Sequence, residues 1–213
     1  MKFGVIGLGR FGHDVAVLLA ENGMEVLAVD DNESVINTIS DKVTQAVCVR
    51  INDEDTLRSI GMDHMDTVIV AMGENIAQSI LITAILKKRL KIKKVITRAV
   101  SEIHKEILTL VGADQVILPE KEVGIHLADR LSSPFIDLIR ITKEFSISRL
   151  AAPKKLIGKK VRDLNLFENY GVYCIGIDRG DEIVSINPDH VILAADKLVF
   201  SGSKEDLEKI PKL

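Results

Sequence analysis

Tryptophan is absent from the 213-residue chain and aromatic residues make up only 4% of it, so the core must be aliphatic. Only two cysteines occur, Cys48 and Cys174, each inside a strand-like apolar run. Neither has CxxC spacing, which excludes a disulfide framework and a thiolate metal site and reads as two buried thiols in a reducing compartment. No apolar run approaches the roughly 18 residues of a membrane span. Met1 and Lys2 lead straight into the first apolar run, so no cleavable leader is expected. Excess charge is also missing. Lys and Arg total 28 against 31 Asp and Glu, a net −3. Cut at Ser133/Pro134, the chain has 15 basic and 19 acidic residues, then 13 and 12. Neither part carries the basic footprint that a dedicated nucleic-acid binder needs. A hydrophobic content of 46% excludes disorder. There is no GxxxxGK[ST] loop, and His13, His64, His104, His126 and His190 show no metal-ligand spacing or nucleophile signature.

What the sequence has is a regular beat. Short β-rich runs at Phe3–Ile6, Val26–Val29, Ala46–Val49, Thr67–Ala71, Val95–Thr97 and Gln115–Leu118 alternate with segments of helical spacing. Asp31, Asn32 or Asn52 serve as helix N-caps. This pattern predicts βαβ units and a Rossmann-like, doubly wound parallel sheet over residues 1–133. Pro119 starts a helix running to about Arg130. Phe135–Ile141 is apolar at helical spacing, so residues 134–143 are expected to form a crossover helix. From 144 to 213 the pattern predicts a small α+β domain. It has a strand at Phe145–Leu150, a hairpin around Arg179-Gly180-Asp181, a strand at Lys197–Phe200 and a last helix capped by Ser203. Lys87–Lys94, six cations in eight residues, reads as a solvated helix C-terminus.

The sharpest motif is Gly7-Leu8-Gly9-Arg10-Phe11-Gly12, placed between the first strand and a helix. Gly7 permits the tight turn, Gly9 admits a pyrophosphate to the backbone, and Gly12 lets the helix pack on the strand. Asp30 ends the second strand eighteen residues after Gly12, close to the spacing at which an acid meets ribose hydroxyls. The pair Asp30-Asp31 repels a 2′-phosphate, which disfavours NADP and leaves NAD(H) or ATP, ADP and AMP. Arg10 inside the loop and Arg98 at the end of the fifth strand are candidate phosphate contacts, and they favour ATP/ADP over NAD/NADH.

GLGRFG, VLAVD ending at Asp30, VIVAMGEN at Val68–Asn75 and GADQVILPEKEVG at Gly112–Gly124 together resemble the RCK (TrkA or KtrA) family. Leu156–Leu164, Tyr170-Gly171-Val172 and Asp196-Lys197-Leu198 are similar to its small C-terminal domain. The resemblance implies a non-catalytic cytoplasmic subunit beneath a membrane potassium-translocating subunit. Homodimers would assemble into a ring, usually an octamer in this family, gated by exchange of ATP with ADP or NADH with NAD. It further implies that Gly7, Leu8, Gly9, Arg10, Phe11 and Gly12 hold phosphates and Asp30 the ribose, with Asp31 and Asn32 beside it. Arg50, Ile51 and Asn52 would lie near the adenine, Met72, Gly73, Glu74 and Asn75 would line the site, and Arg98 would contact phosphate. Glu120 matches a carboxylate that helps hold a divalent cation. The alternative is a small NAD-dependent oxidoreductase, for which His190 is the one neutral-pH acid/base after residue 144.

A mean hydropathy of +0.19 and the apolar stretch Phe135, Ile136, Leu138, Ile139 and Ile141 point to self-association.

Overall fold

A computed structural model describes residues 1–73, 75–132, 135–142 and 144–213. The chain divides into two compact units, Met1–Pro119 and Glu120–Leu213.

In the first unit the strands and helices alternate as β1 (Lys2–Ile6), α1 (Arg10–Glu21), β2 (Glu25–Asp30), α2 (Glu33–Ile39), β3 (Gln45–Cys48), α3 (Glu54–Ser59), β4 (Thr67–Val70), α4 (Ile76–Ala84), β5 (Lys94–Arg98), α5 (Glu102–Val111) and β6 (Gln115–Ile117). All neighbouring strands are parallel, in the order β3-β2-β1-β4-β5-β6. That order is the doubly wound arrangement with its switch point between β1 and β4. The middles of the strands are mostly apolar because both faces are covered. Ile6, Leu27, Val29, Val68 and Val70 pack on one face with α3 and α4, while Val5, Val26, Ala28 and Ile69 pack on the other with α1 and α2. Consecutive residues of one strand thus feed two separate cores.

Local chemistry sets the helix starts. Asn32 caps α2 by accepting from the Ser34 N–H, Asn75 caps α4 by accepting from Gln78, and Ser101 caps α5 by accepting from His104. Asp53, and not the expected Asn52, caps α3: its Oδ1 accepts from the Thr56 amide at 2.8 Å and the Thr56 hydroxyl at 2.7 Å. The hydroxyl and amide of Thr56 hold the Asp53 carboxyl below its ordinary pKa. Cys48 is exposed, contrary to the expectation of a buried thiol. It ends the short β3, the edge strand of the sheet, which has a neighbouring strand on one side only. Cys174 is half-buried, and burial pushes its thiol up to about 12.

The second unit opens with α6 (Pro119–Ser132), followed by β7 (Asp137–Arg140), β8 (Ser146–Ala151), α7 (Leu166–Tyr170), β9 (Val172–Asp178), β10 (Ile183–Ser185), β11 (Lys197–Gly202) and α8 (Lys204–Leu207). Its sheet is antiparallel, in the order β10-β9-β11-β8-β7. The β9–β10 hairpin and the Ser203 cap occur where expected, and Gly180 takes φ +100 in the hairpin turn.

The crossover helix expected over 134–143 is not formed: residues 137–140 are a strand, paired Leu138↔Ser148 and Ile139↔Ile147 with β8. Pro134 and Lys143 lie outside the described residues. A seven-residue apolar segment fits helical and strand periods alike, and the β-branched isoleucines together with the free edge of β8 decide for the strand. Leu138 is buried under the sheet while Ile139 stays half-exposed. The unit begins at Glu120 rather than after residue 133, and within it Asp129 of α6 and Arg140 of β7 form an ion pair of 2.6 Å.

Phe200 is fully buried in this second core, opposite Ser148 on β8 and Cys174 on β9. Phe200→Ala should destabilise the unit by about 3–5 kcal/mol in denaturant unfolding. A loss under about 1 kcal/mol would show that this core is not packed as described.

Candidate functional site

The site is built at the carboxyl edge of the parallel sheet, where β1, β2 and β4 end. Gly7 leaves β1 with φ +86, in the left-handed region, and its N–H donates to Val29 O on β2 at 2.9 Å. A side chain at Gly7 would strike Met72 Cγ at 2.9 Å, so the turn needs glycine on both counts. A Cβ on Gly12 would collide with the Gly7 carbonyl oxygen, which is why α1 can pack so closely on the loop.

Gly9 is the N-cap of α1 and has nothing within 4 Å of where a Cβ would be. The helices that follow it in this unit all begin on a capping side chain, namely Asn32, Asp53, Asn75 and Ser101. α1 has no capping side chain and no acid in its first turn. Its first N–H groups therefore point out of the loop with the positive end of the helix dipole and no acceptor from its own cap. An anion is the chemical complement of that arrangement.

Asp30 holds the loop in place. Its Oδ2 accepts from the Leu8 N–H at 2.7 Å and its Oδ1 from the Asn32 N–H at 2.9 Å. One carboxylate thereby clamps the β1–α1 loop to the β2–α2 loop. A carboxylate offers about four acceptor positions, so two remain to receive hydroxyls.

Beside this clamp is a cavity lined by Ile6, Gly7, Val29, Asp30, Asp31, Val49, Ile51, Met72, Gln78 and Ile82. Its walls are aliphatic and its polar groups are two carboxylates and one amide. Of the residues predicted from sequence, Gly7, Asp30, Asp31, Ile51 and Met72 meet in it. Gln78 was not predicted. It is placed by the Asn75 cap and donates from Nε2 to the Ile51 carbonyl at 2.9 Å, which ties the start of α4 to the segment after β3. Its only signal in the sequence is its place three residues after an Asn.

The remaining predicted residues are distributed around the cavity. Leu8 is buried and contributes its backbone amide, not its side chain. Phe11 packs against the core beneath α1. Gly9 and Arg10 are exposed at the helix start, and Asn32 is the α2 cap. Arg50 and Asn52 are exposed and outside the cavity lining. Gly73 lies against Arg98, whose Nη1 is 2.5 Å from where a Gly73 Cβ would stand, so the half-buried Arg98 occupies the carboxyl edge of β5. Asn75 caps α4. Glu74 lies outside the described residues. Glu120 belongs to the second unit, in the first turn of α6. Among the described residues no group of three or more His, Cys, Asp or Glu converges as a metal site. His190, also in the second unit, is engaged with Asp196, Nε2 to Oδ2 at 2.7 Å.

The chain is similar to known proteins along nearly its whole length. The TrkA-N domain model matches residues 3–119 and the TrkA-C domain model residues 145–213. The chain is 39% identical to Ktr system potassium uptake protein A of Bacillus subtilis over 210 residues, covering 98% of this chain and 94% of that protein. It is 36% identical to Ktr system potassium uptake protein C of the same organism over 213 residues, covering 99% and 96%. Among solved structures, the GsuK RCK domain aligns with TM-score 0.66 and 18% identity over 100% of this chain and 48% of that one. The GsuK channel bound to NAD aligns with TM-score 0.57 and 22% identity over 99% and 38%. The chain thus spans half or less of the GsuK chains, and at these identities the likeness is one of fold. No described helix is long and apolar enough to cross a membrane.

Asp30→Ala removes both acceptors of the clamp and strands the amide of the buried Leu8. A stability loss of about 1–3 kcal/mol is expected in chemical unfolding. A variant as stable as the parent would show that the clamp is not what orders the loop.

Proposed function

Since the chain belongs to the TrkA family, with a TrkA-N and a TrkA-C domain, we propose that it is a nucleotide-binding regulatory subunit that controls potassium transport by a separate membrane subunit. The observation that carries this reading is the α1 N-terminus, bare of a capping side chain and held open by the Asp30 clamp. Phosphates meet the amides from Gly9 to Gly12. The ribose hydroxyls reach the spare acceptor positions of Asp30, with Asp31 beside it. The aliphatic slot between Val49, Ile51 and Ile82 takes the adenine, with Gln78 as a polar edge. Arg10 projects from the exposed first position of α1 toward a terminal phosphate, in its own subunit or in a second copy. Arg98 approaches the phosphates from β5, and Glu120 supplies a carboxylate to a divalent cation that accompanies the nucleotide.

The role is regulatory rather than catalytic. His190, on which a dehydrogenase reading depends, is engaged with Asp196 in the other unit. Its relatives of nearly equal length are named as potassium uptake proteins. The subunit works in the cytoplasm, at the inner face of the membrane through its partner. It acts as a homodimer that closes into a ring, an octamer, which turns a charge change at the phosphates into a change of subunit angle. Supporting this, β7 is a sheet edge with Ile139 and Ile141 exposed, a surface that gains from pairing.

Calorimetry with ATP, ADP, NAD and NADH tests the site. ATP and ADP should bind more tightly than NAD and NADH, without turnover, and no binding of any of the four would end the reading. Arg10→Ala should weaken ATP by about tenfold or more and ADP by less, because a hydrogen-bonded charge on the terminal phosphate is worth about 1.5–3 kcal/mol. Equal losses would remove Arg10 from the terminal phosphate. Sedimentation at micromolar protein with nucleotide should show an assembly of several subunits; a single 23.5 kDa species would rule out the ring.

A further inference from the structure

At the opposite edge of the parallel sheet from the nucleotide site, α4 does not end as an α-helix. It passes into a π-helical turn, Ile85–Arg89, with the Leu90 N–H bonded to Ile85 O at 3.0 Å. Lys91 follows with φ +55, in the left-handed region where residues other than glycine are held at a cost. This turn carries the cation run that the sequence alone assigns to complementing a helix C-terminus. Lys87 is instead stapled to the segment beyond the turn, where its ammonium donates to Ile92 O at 3.1 Å and pairs with Asp114 at 2.8 Å.

Lys88, Arg89, Lys91, Lys93 and Lys94 are left exposed and form no ion pair among the described residues. They stand on a chain whose net charge is −3. The Lys88 ammonium lies 3.3 Å from where a Cβ of Gly112 would be, which brings the turn to the end of α5. Two residues before Gly112, Leu110 is 83% exposed. A cluster of unpaired cations with an exposed leucine close by in the fold is the footprint of an interfacial contact, in which the apolar group enters the headgroup boundary and the cations meet negative headgroups.

We propose that the turn Lys88–Lys94, together with Leu110, docks on a bilayer surface rich in anionic lipid. Other polyanions fit less well. The turn contains no aromatic residue on which a base could stack. The adjoining β5 is paired on both sides, so it offers no free edge to an acidic peptide strand. The inference needs neither nucleotide binding nor a potassium subunit, and it stands or falls separately from the function proposed above.

Flotation of the full chain with phosphatidylcholine vesicles, with and without about 30% phosphatidylserine, tests it. The chain should float with the anionic vesicles only, and about 1 M salt should release it. The variant Lys88→Gln/Lys91→Gln/Lys93→Gln should lose about 10- to 100-fold in partitioning. Circular dichroism checks that it is folded, and Lys93→Gln/Lys94→Gln gives a second variant should the first not fold. Leu110→Ser should weaken partitioning severalfold while leaving the requirement for anionic lipid in place. The proposal is overturned if the parent fails to float with phosphatidylserine vesicles, if it floats equally with both compositions, or if the charge variants partition like the parent. Retention of an RNA or an acidic polypeptide by the turn, without lipid binding, would overturn it too.

Discussion

A single carboxylate joins the two loops on which the candidate site depends. Asp30 ends β2, and its two oxygens accept one backbone amide from the loop after β1 and one from the loop before α2. Without it, Leu8 would bury an amide with no partner, a cost comparable to a sizeable share of the stability of a small domain. With it, Gly7 can turn through a left-handed conformation, Gly12 can seat α1 against the Gly7 carbonyl, and the first amides of α1 face outward. The clamp and the glycines are mutually dependent: the glycines remove the side chains that would block the turn, and the carboxylate fixes the turn that remains.

The consequence for chemistry comes from a contrast within one unit. Four helices end their orphan amides on Asn32, Asp53, Asn75 or Ser101, while α1 begins on a glycine. Capping is worth about 1 kcal/mol per helix, so a bare helix start is a stabilisation left unused. A phosphate would supply what the missing cap does not, and its binding would stabilise the loop that receives it. Because this uncapped helix end adjoins the topological switch of the sheet, a ligand spanning β1, β2 and β4 would touch several loops at once. That is the physical basis on which a change of phosphate charge can move one part of the protein against another.

Much of this is legible in the amino-acid sequence. The six parallel strands are buried on both faces, so each stands out as a short apolar run, and the turns between them are marked by Gly, Asn and Asp. GLGRFG and Asp30 were visible as a nucleotide motif from spacing alone. What was not visible depends on tertiary context. Phe135–Ile141 is too short to separate a period of 2 from one of 3.6, and the edge of β8 turned it into a strand. Asn52 and Asp53 are both good caps, and only the position of Thr56 decided between them. The backbone amide of Leu8 as the partner of Asp30, and the link from Gln78 to Ile51, join segments far apart in sequence with no composition to announce them. The cation run at Lys87–Lys94 looked uniform, whereas the structure separates one stapled lysine from five solvated cations.

In the function proposed above, the bare α1 N-terminus receives the phosphates of an adenine nucleotide. Hydrogen exchange read by mass spectrometry, with and without saturating ADP, addresses those amides directly. Peptides spanning Gly7–His13 should gain protection, with a smaller gain around Asp30–Ser34. Unchanged exchange in Gly7–His13 under conditions where ADP is bound would contradict it, because the nucleotide would then be held somewhere other than the glycine loop.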